Sequence, residues 1–453
     1  MSGANRSVCL VLAIICVQPR IAQSHANASN QNGSCLALSS WFPITPPPAN
    51  KRPNPNSDCD FYRWAWQTFL FVTQPAPGQR GAARFLTFQT PYEMFGSARS
   101  HSHGPAVFIP GNLDAVLQPG SLAILVDQNG RAVYYTSHLN SQFVRFVREN
   151  GYTDFAKLKK APIGQQFPKG SVELKSSWKV IATGEDARSF FTIRARIPLL
   201  TTAANGAIAI DPLRTREQTL ALIGLHVVGI VEGHPEFIWA TFEHNDNAPD
   251  LPASLKPDTR EPVDSEKTWT LYSRGANAGD CNKKPKALKL LDHKRQILDS
   301  KVSVFREFAF GGDDDPDVIR DLNDSVHRML SPNSVWRNYS FMGAMWLNDP
   351  ERDFKEYSDF NRTAADLAGT KVLGGDAKLS NTTMETFTQS NENCFSCHNT
   401  LAQSVGHGDS IPGKRLNMSH ALSAAYMYLP SHRGKRIPNA ELLAGTAEVD
   451  PNK

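Results

Sequence analysis

The middle of the chain carries the hydrophobic pattern of β-strands. Apolar and polar side chains alternate over residues 191–197, and even-numbered positions are largely apolar over residues 172–180. A period of two is typical of a strand with one buried face. Residues 220–231 are almost all apolar, which indicates a strand covered on both faces. We therefore predict a β-rich core, built as a sandwich or a curved antiparallel sheet.

Two turn signals join these strands into hairpins. Residues 127–130 (Asp-Gln-Asn-Gly) lie between two apolar runs, and Asn-Gly is a strong hairpin signal. Residues 232–235 (Glu-Gly-His-Pro) separate the apolar run that ends at residue 231 from another over residues 237–242. The strands before and after each turn should therefore pair antiparallel.

The second hairpin also predicts which way its histidines point. With the turn centred on residues 233–234, His226 lies opposite Thr241 and shares a face with Trp239. His244 then projects from the other face, so the two histidines should not bind one metal ion together. Because His226 lies in an apolar strand, we expect it to be a hydrogen-bonded core histidine.

Helical periodicity flanks the strand-rich region. Apolar side chains recur at steps of three and four over residues 61–72, directly after two aspartates. Residues 287–299, 315–330 and 381–389 also have helical patterns. The predicted fold class is α+β, with a sandwich-like antiparallel core and a C-terminal helical segment packed on it.

The N-terminus has the three parts of a secretory signal. Arg6 precedes an uninterrupted apolar run over residues 8–17, and residues 26–28 (Ala-Asn-Ala) supply the small side chains that signal peptidase requires. The apolar run is too short to span a bilayer. We predict that residues 1–28 are removed and that the mature protein is periplasmic or secreted, with no membrane span.

Composition excludes some classes of function without choosing one. The chain has 453 residues, of which 40% are hydrophobic and 20% charged, as in ordinary globular proteins. The formal net charge is +4, and removal of Arg6 and Arg20 with the leader leaves +2. A charge so close to neutral offers no electrostatic footprint for nucleic acid.

Export changes the interpretation of the cysteines. Seven are present, and Cys9 and Cys16 lie in the leader, which leaves five. Thiols tend to pair in an oxidising compartment. Cys35 and Cys59 are close in sequence and precede the first strong helix, so they are the expected disulfide. Cys281 has no evident role.

The remaining two cysteines form a motif with a specific chemistry. Cys394, Cys397 and His398 make up a Cys-x-x-Cys-His sequence, the attachment signature of haem c. Cysteines three positions apart lie on one face of a helical turn, so both sulfurs can bond to the vinyl groups of one porphyrin. The adjacent histidine can then be the proximal ligand of the iron. We predict one covalent haem c, with Cys394, Cys397 and His398 as its binding residues.

A redox-active cysteine pair and a zinc site are the alternatives for this motif. A redox pair normally follows a strand and opens a helix in a βαβ unit, whereas a helical pattern without a strand precedes this motif. Zinc needs further ligands at recognisable spacing, and neither a second Cys-x-x-Cys nor a His-x-x-x-His occurs in the sequence.

Several further segments carry a resemblance. They are residues 224–226 (Gly-Leu-His), 239–244 (Trp-Ala-Thr-Phe-Glu-His), 247–249 (Asn-Ala-Pro) and 381–386 (Asn-Thr-Thr-Met-Glu-Thr). Together with the haem motif, they resemble a mostly uncharacterised group of exported bacterial c-type cytochrome-like proteins with a single C-terminal Cys-x-x-Cys-His motif. The resemblance spans roughly Cys59 to His420. It implies a periplasmic haem protein but no particular reaction.

The segment that contains the motif is short. About 50 residues separate residue 381 from the end of recognisable pattern near residue 429, which is less than a self-contained small cytochrome domain normally uses. We therefore expect the haem to pack against the large domain. The predicted organisation is a signal peptide (1–28), an extended lead-in (29–57), a β-rich core with an N-terminal helix (58–262), a helical and loop region (263–380), a haem c attachment segment (381–432) and a tail without pattern (433–453).

The distal iron ligand is the least determined part of this prediction. Met418 is the first choice, because a thioether raises the reduction potential and glycines and a proline over residues 406–413 would allow the chain to reverse. The other downstream candidates are His407, His420, Met427 and His432, and a ligand from far upstream is also open.

The predicted function is that of a periplasmic c-type cytochrome that transfers electrons to or from an unidentified redox partner. Two other functions stay open: a haem enzyme of peroxidase or oxidase type with an open distal site, and a haem-based sensor of redox state or of a gas. A small-molecule substrate is expected only for the enzyme.

Overall fold

A computed structural model of the chain describes residues 35–78, 82–95, 116–117, 123–311, 316–350, 372–376, 378–390, 393–406 and 408–427. The predicted signal peptide, the tail from residue 433, His407 and His432 lie outside these ranges.

In the described part, the helices are α1 (Asp58–Thr73), α2 (Pro91–Met94), α3 (Ser141–Glu149), α4 (Phe155–Lys160), α5 (Pro316–Met329), α6 (Cys394–Cys397) and α7 (Ala421–Met427). The strands are β1 (Tyr134–Leu139), β2 (Val172–Val180), β3 (Thr192–Thr202), β4 (Ile208–Val231), β5 (His234–His244), β6 (Leu290–Asp292), β7 (Ile297–Leu298), β8 (Tyr339–Leu347), β9 (Leu373–Gly375), β10 (Gln403–Gly406) and β11 (Asp409–Ile411).

The main sheet is antiparallel and has the strand order β1-β2-β4-β5-β8-β9, with β3 paired to β4 outside this path. Strands β6 and β7, and strands β10 and β11, form separate two-stranded sheets. The predicted β-rich α+β fold is confirmed. The sheet continues past residue 262, because β8 pairs with β5. Over the described residues, one face of the sheet is covered by helix α1 rather than by the second sheet of a sandwich.

The hairpin of β4 and β5 has the predicted register at its centre. His226 pairs with Thr241, so the predicted opposition of these residues is confirmed. The turn itself is different: Val231 pairs with His234, which centres the turn one residue earlier than predicted. A register shift between residues 229 and 231 reconciles the tighter turn with the predicted pairing further along.

Helix α1 confirms the amphipathic segment predicted over residues 61–72. Asp58 and Asp60 lie in its first turn, where carboxylates stabilise the positive end of the helix dipole. Its buried aromatic side chains pack on the sheet. The ring of Phe69 stacks on Phe242 of β5 at 4.2 Å, and the ring of Phe61 stacks on Trp346 of β8 at 3.7 Å. This layer forms the larger part of the apolar core.

Of the other predicted helices, one is confirmed and two are wrong. Helix α5 occupies the predicted segment 315–330. Residues 287–299 instead form the β6–β7 hairpin, with Gln296 in the left-handed region (φ 59°) at its turn. Residues 381–389 form consecutive turns, because asparagine and threonine side chains compete for the backbone groups that a helix would use. The Asn381 side chain, for example, accepts a hydrogen bond from the Thr383 amide at 2.8 Å.

The predicted disulfide between Cys35 and Cys59 is confirmed, with a Cα–Cα distance of 5.5 Å. Cys281 is a buried thiol that packs with Tyr272 and Phe305 in a small apolar cluster. Its Sγ donates to the Asn277 carbonyl at 3.2 Å. Among the described residues, no helix is long and apolar enough to cross a membrane.

Candidate functional site

The face of the sheet opposite helix α1 is built from three rows of cross-strand neighbours on β2, β4 and β5. From one end, the rows are Ser177–Gly224–Glu243, Lys175–His226–Thr241 and Glu173–Val228–Trp239. We call this surface the polar face. Directly paired residues point to the same side of a sheet, and so do positions two apart along a strand. The side chains of all three rows therefore project together.

Residues 381–383 cover the first row of the polar face and reach Thr241 in the second row. The side-chain amide of Asn381 donates to the Thr241 hydroxyl at 2.7 Å. The backbone amide of Thr382 donates to Glu243 Oε1 at 2.9 Å. The hydroxyls of Thr383 and Ser177 lie 2.6 Å apart. All of these side chains are buried, so hydrogen bonds replace the water that each group loses.

Gly224 is required by this close approach. A Cβ atom at position 224 would lie 2.5 Å from the Thr383 hydroxyl and 2.7 Å from the Ser177 hydroxyl. Only glycine therefore lets residues 381–383 reach the strand.

A buried ion pair secures the same end of the polar face. Glu243 is fully buried and accepts from Arg306 at 2.8 Å, and the Thr382 hydroxyl also donates to Glu243. Arg306 pairs in addition with Asp250. Removal of one partner from such a pair leaves an uncompensated buried charge, which makes the pair a strong determinant of the local structure.

The second row contains the histidine that the sequence placed on this face. His226 Nε2 lies 3.1 Å from Glu385 Oε1. The other carboxylate oxygen of Glu385 accepts from the backbone amide of Asn381 at 2.9 Å. Burial would raise the pKa of Glu385, but the neighbouring His226 and Lys175 outweigh it and hold that pKa below its usual value. The predicted hydrogen bond of His226 is confirmed, but the side chain is 17% exposed and so lies at the margin of the core rather than inside it.

His244 lies on the other side of the sheet, as predicted. Its Nε2 contacts the Ser189 carbonyl at 3.0 Å, and its Nδ1 accepts from the Asp246 amide at 3.1 Å. Its ring stacks on Phe190 at 3.9 Å. The two histidines of the hairpin therefore have no common partner.

The Cys-x-x-Cys pair lies on the single turn of helix α6. Asn393 caps this turn by accepting from the amides of Phe395 (2.9 Å) and Ser396 (3.1 Å), while the Ser396 hydroxyl accepts from the Asn393 amide at 3.0 Å. This reciprocal capping box lets so short a helix form. Cys394 and Cys397 are not joined in a disulfide, and Cys397 is exposed. Burial raises the pKa of the Cys394 thiol.

The His398 imidazole is fixed at one edge and packed against two rings. Its Nδ1 lies 3.0 Å from the Met418 carbonyl. The rings of Trp239 and His420 lie 4.1 Å and 4.2 Å from it, respectively. Because a carbonyl only accepts, Nδ1 carries the proton and the lone pair is on Nε2. Burial first, and then the nearby His420 and Lys175, lower the pKa of His398 well below its usual value, so the ring is neutral at neutral pH.

Residues 403–406 and 408–427 pack on the third row and its surroundings. Met418 is buried in an apolar cluster that also contains Val228, Trp239 and Phe395. The Ser419 hydroxyl lies 2.6 Å from a carboxylate oxygen of Glu173 in that row. The C-terminal segment thus rests on the large sheet, and helices make up only part of it.

A buried lysine anchors the same segment to helix α4. Lys414 Nζ donates to the carbonyls of Leu158 (2.8 Å), Lys159 (3.0 Å) and Ala161 (3.0 Å) at the C-terminal end of that helix. The last carbonyls of a helix have no amide four residues further on within the helix, and a cation there is favourable to the helix dipole.

The structure brings all four predicted site residues together, and their chemistry fits a haem c. Cys394 and Cys397 lie on one turn as thiols, and His398 is a neutral imidazole whose Nδ1–H is held by a carbonyl, as in most metal-bound histidines. The Met418 backbone carbonyl contacts His398, and the assignment of Met418 as the distal ligand stays a prediction.

Among the described residues, no group of three or more His, Cys, Asp or Glu could hold a metal ion. Haem iron does not require such a group, because the porphyrin supplies four ligands.

The same geometry is less suited to a redox-active cysteine pair. A reactive thiol is exposed and has a lowered pKa. Cys394 is the opposite, since burial raises its pKa. Residues 382–390, the nearest described stretch before Asn393, form turns rather than a strand.

The sequence did not reveal two features of this site. One is the Asn393–Ser396 capping box, for which an asparagine three residues before a serine was an available signal. The other is the pairing of His226 with Glu385, 159 residues apart, for which the sequence offered no signal.

Comparison of the chain with protein-family models, with curated proteins and with solved structures found no match. The class of the protein therefore has to be argued from the site itself.

Proposed function

We propose that the chain is an exported c-type cytochrome that binds one haem covalently through Cys394 and Cys397, with His398 as an axial ligand, and that it transfers electrons. The observation that carries the proposal is the state of His398 beside the paired thiols. Its Nδ1 is held by the Met418 carbonyl at 3.0 Å, which leaves the lone pair on Nε2, the nitrogen that would bind iron.

The side chains around the motif hold the His398 ring and the attachment turn in fixed positions, which supports a permanently bound haem. Trp239 and His420 pack against the His398 ring, and the capping box fixes the turn that carries both cysteines. Bound haem would supply a one-electron iron centre. The residues of this chain hold the attachment turn on the sheet, orient the imidazole and keep it neutral.

Export is part of the proposal, because haem c is attached outside the cytoplasm. The N-terminal signal pattern motivates this location, and the Cys35–Cys59 disulfide is compatible with it. The bacterial c-type cytochrome-like group that the sequence resembles has the same organisation.

The proposal is tested by haem staining of the denatured protein after expression with a haem-attachment system. We expect the wild type to stain, Cys394→Ala and Cys397→Ala each to lose most of the stain, and His398→Ala to lose it in part. Cys281→Ala is the matched control, because Cys281 is a buried free thiol that lies far from the motif in sequence. Its stain should equal that of the wild type. A wild type without stain, or cysteine variants that stain fully, would contradict covalent attachment.

A further inference from the structure

The loop that follows helix α4 lies close to His398. The Met418 carbonyl contacts His398 Nδ1 at 3.0 Å, and residues 415–418 form one turn of 3₁₀-helix. The Arg415 amide, at the start of this turn, donates to the Ile163 carbonyl at 3.0 Å. Because a 3₁₀-helix rises about 2 Å per residue, the turn spans only about 6 Å between the two contacts.

A second set of contacts joins helix α4 to the turn that carries the cysteines. His420 Nε2 lies 3.0 Å from the Cys397 carbonyl, directly before helix α7. On α7, the ring of Tyr426 stacks on that of Phe155 in α4 at 3.6 Å. Together with the hydrogen bonds from Lys414 to the end of α4, these contacts hold the helix beside the attachment turn.

The outer side of helix α4 is basic. Lys157 and Lys160 are exposed and, being three positions apart, are neighbours on one face of the helix. Residues 154–163 carry three lysines and one aspartate, a formal charge of +2. This equals the charge of the whole predicted mature chain, so the rest of that chain is neutral on balance.

The two aspartates near these lysines already have partners. Asp409 pairs with Lys159 at 3.1 Å. Asp154 caps helix α4 by accepting from the Ala156 backbone amide at 2.8 Å. Positive charge is therefore left on this surface, which favours the approach of an acidic surface.

Ile163 gives the basic surface an apolar centre. It is 78% exposed, the highest value among the large apolar residues that the structure describes. An apolar centre with a charged rim is typical of a protein–protein interface. A membrane surface would need more apolar area, whereas the neighbouring Phe155, Leu158 and Phe167 pack against the protein.

We propose that Lys157, Lys160, Ile163 and Arg415 form a docking surface, the basic patch, for an acidic face of the redox protein with which this chain exchanges electrons. The inference rests on the proposed function, since it names the kind of partner that reaches the same haem. Electron tunnelling weakens steeply with distance, so a docking surface one short turn from His398 suits the transfer.

Another surface of similar composition serves as the comparison. Leu291 of β6 is 67% exposed, and Lys289 and Lys294 on either side of it in sequence are exposed. This hairpin is held to β3, where the Gln296 side chain bonds to the amide and the carbonyl of Leu200. Reversal of its two charges changes the net charge of the protein equally and leaves the basic patch intact.

The test uses the full-length exported protein with haem attached and an acidic blue-copper protein as the probe. Titration calorimetry with the Cu(I) form measures binding. Stopped-flow spectroscopy measures the transfer of one electron from the ferrous haem to Cu(II), which yields ferric haem and Cu(I). We expect Lys157→Glu with Lys160→Glu to weaken binding and slow transfer about tenfold at low ionic strength, and less in high salt. The control Lys289→Glu with Lys294→Glu should match the wild type.

Two further measurements separate the apolar contact from the charges. Ile163→Ser should weaken binding several-fold at low and at high ionic strength, because salt does not screen an apolar contact. A basic blue-copper protein as the probe should show the reverse charge dependence and bind Lys157→Glu with Lys160→Glu more tightly than the wild type.

Failure of this inference differs from failure of the proposed function. A wild type without covalent haem would contradict the function, and calorimetry on the same protein would still report on the basic patch. Unchanged binding and transfer in Lys157→Glu with Lys160→Glu, or equal losses in the control, would overturn the docking surface alone. Co-sedimentation of the wild type, but not of this variant, with vesicles of phosphatidylglycerol and phosphatidylcholine would overturn it in favour of a membrane.

Discussion

The two faces of the main sheet are covered in different ways around strands β4, β5 and β8. On one face, rings of helix α1 stack on Phe242 and Trp346, and the contact is almost entirely apolar. On the polar face, residues 381–385 are held by directed hydrogen bonds to buried side chains such as Thr241 and Glu243. Apolar packing tolerates small shifts, whereas hydrogen-bond networks fix positions. The first face therefore stabilises the domain, and the second positions the attachment turn.

The largest expected effect comes from the apolar face. Phe69 is fully buried and stacks on Phe242, so Phe69→Ala should lower the free energy of unfolding by about 3–5 kcal/mol. Chemical denaturation followed by fluorescence measures this loss. Phe71→Ala, two positions along the same helix but at a half-buried site, is the control and should cost much less. Equal losses in the two variants would contradict a core on this face.

The second prediction concerns pH and again the apolar face. Burial lowers the pKa of His244 from 6.5 to about 4. The unfolded chain therefore takes up a proton on this residue near pH 6.5, whereas the folded protein does so only near pH 4. The free energy of unfolding should fall as the pH is lowered through this window, by up to about 3 kcal/mol for this one group.

The measurement is denaturation of the wild type and of His244→Gln at pH 7 and at pH 4.5. Other buried histidines add to the acid sensitivity of both proteins, so the difference between the two isolates His244. We expect the variant to lose less stability on acidification than the wild type. An identical loss would show that burial does not keep His244 neutral in the folded protein.

The third prediction breaks the polar face selectively. Gly224→Ala places a Cβ against the Thr383 and Ser177 hydroxyls, and such overpacking costs about 1–3 kcal/mol. The strain falls on the segment that leads to the attachment turn. We therefore expect haem incorporation to fall by more than the loss of stability of the whole domain alone would cause. Haem content per protein and denaturation midpoints are the two measurements.

Gly164→Ala is the control for this variant, since a Cβ there meets open space. The double variant Gly224→Ala with Thr383→Ala should recover part of the haem content, because the closest clashing atom is removed. If Gly224→Ala incorporates haem normally, the polar face does not position the attachment turn.

The sequence predicted the parts of this structure that depend on local pattern. Alternation identified strands β2 and β3, apolar runs identified the β4–β5 hairpin, and three- and four-residue steps identified helix α1. The pairing of His226 with Thr241 was predicted from a turn centred one residue too late, and it holds because of the register shift between residues 229 and 231. The Cys-x-x-Cys-His motif of Cys394, Cys397 and His398 was recognised by spacing alone, and its role in haem binding stays a prediction.

The sequence failed where side chains decide against the local pattern. Residues 381–389 have helical spacing, but Asn381 and Thr383 use their side chains on the backbone and on the sheet. The contact of His226 with Glu385 depends on how that segment crosses the sheet, which no local pattern specifies. Likewise, Met418 was chosen for its sulfur, and its carbonyl contact with His398 depends on the tertiary fold.

The most direct test of covalent haem attachment is the intact mass of the denatured, purified protein. We expect the mass of the mature chain plus one haem, with the added mass on a peptide that contains Cys394 and Cys397. A mature chain that carries no added mass after expression with a haem-attachment system, or one whose haem is lost on denaturation, would contradict it.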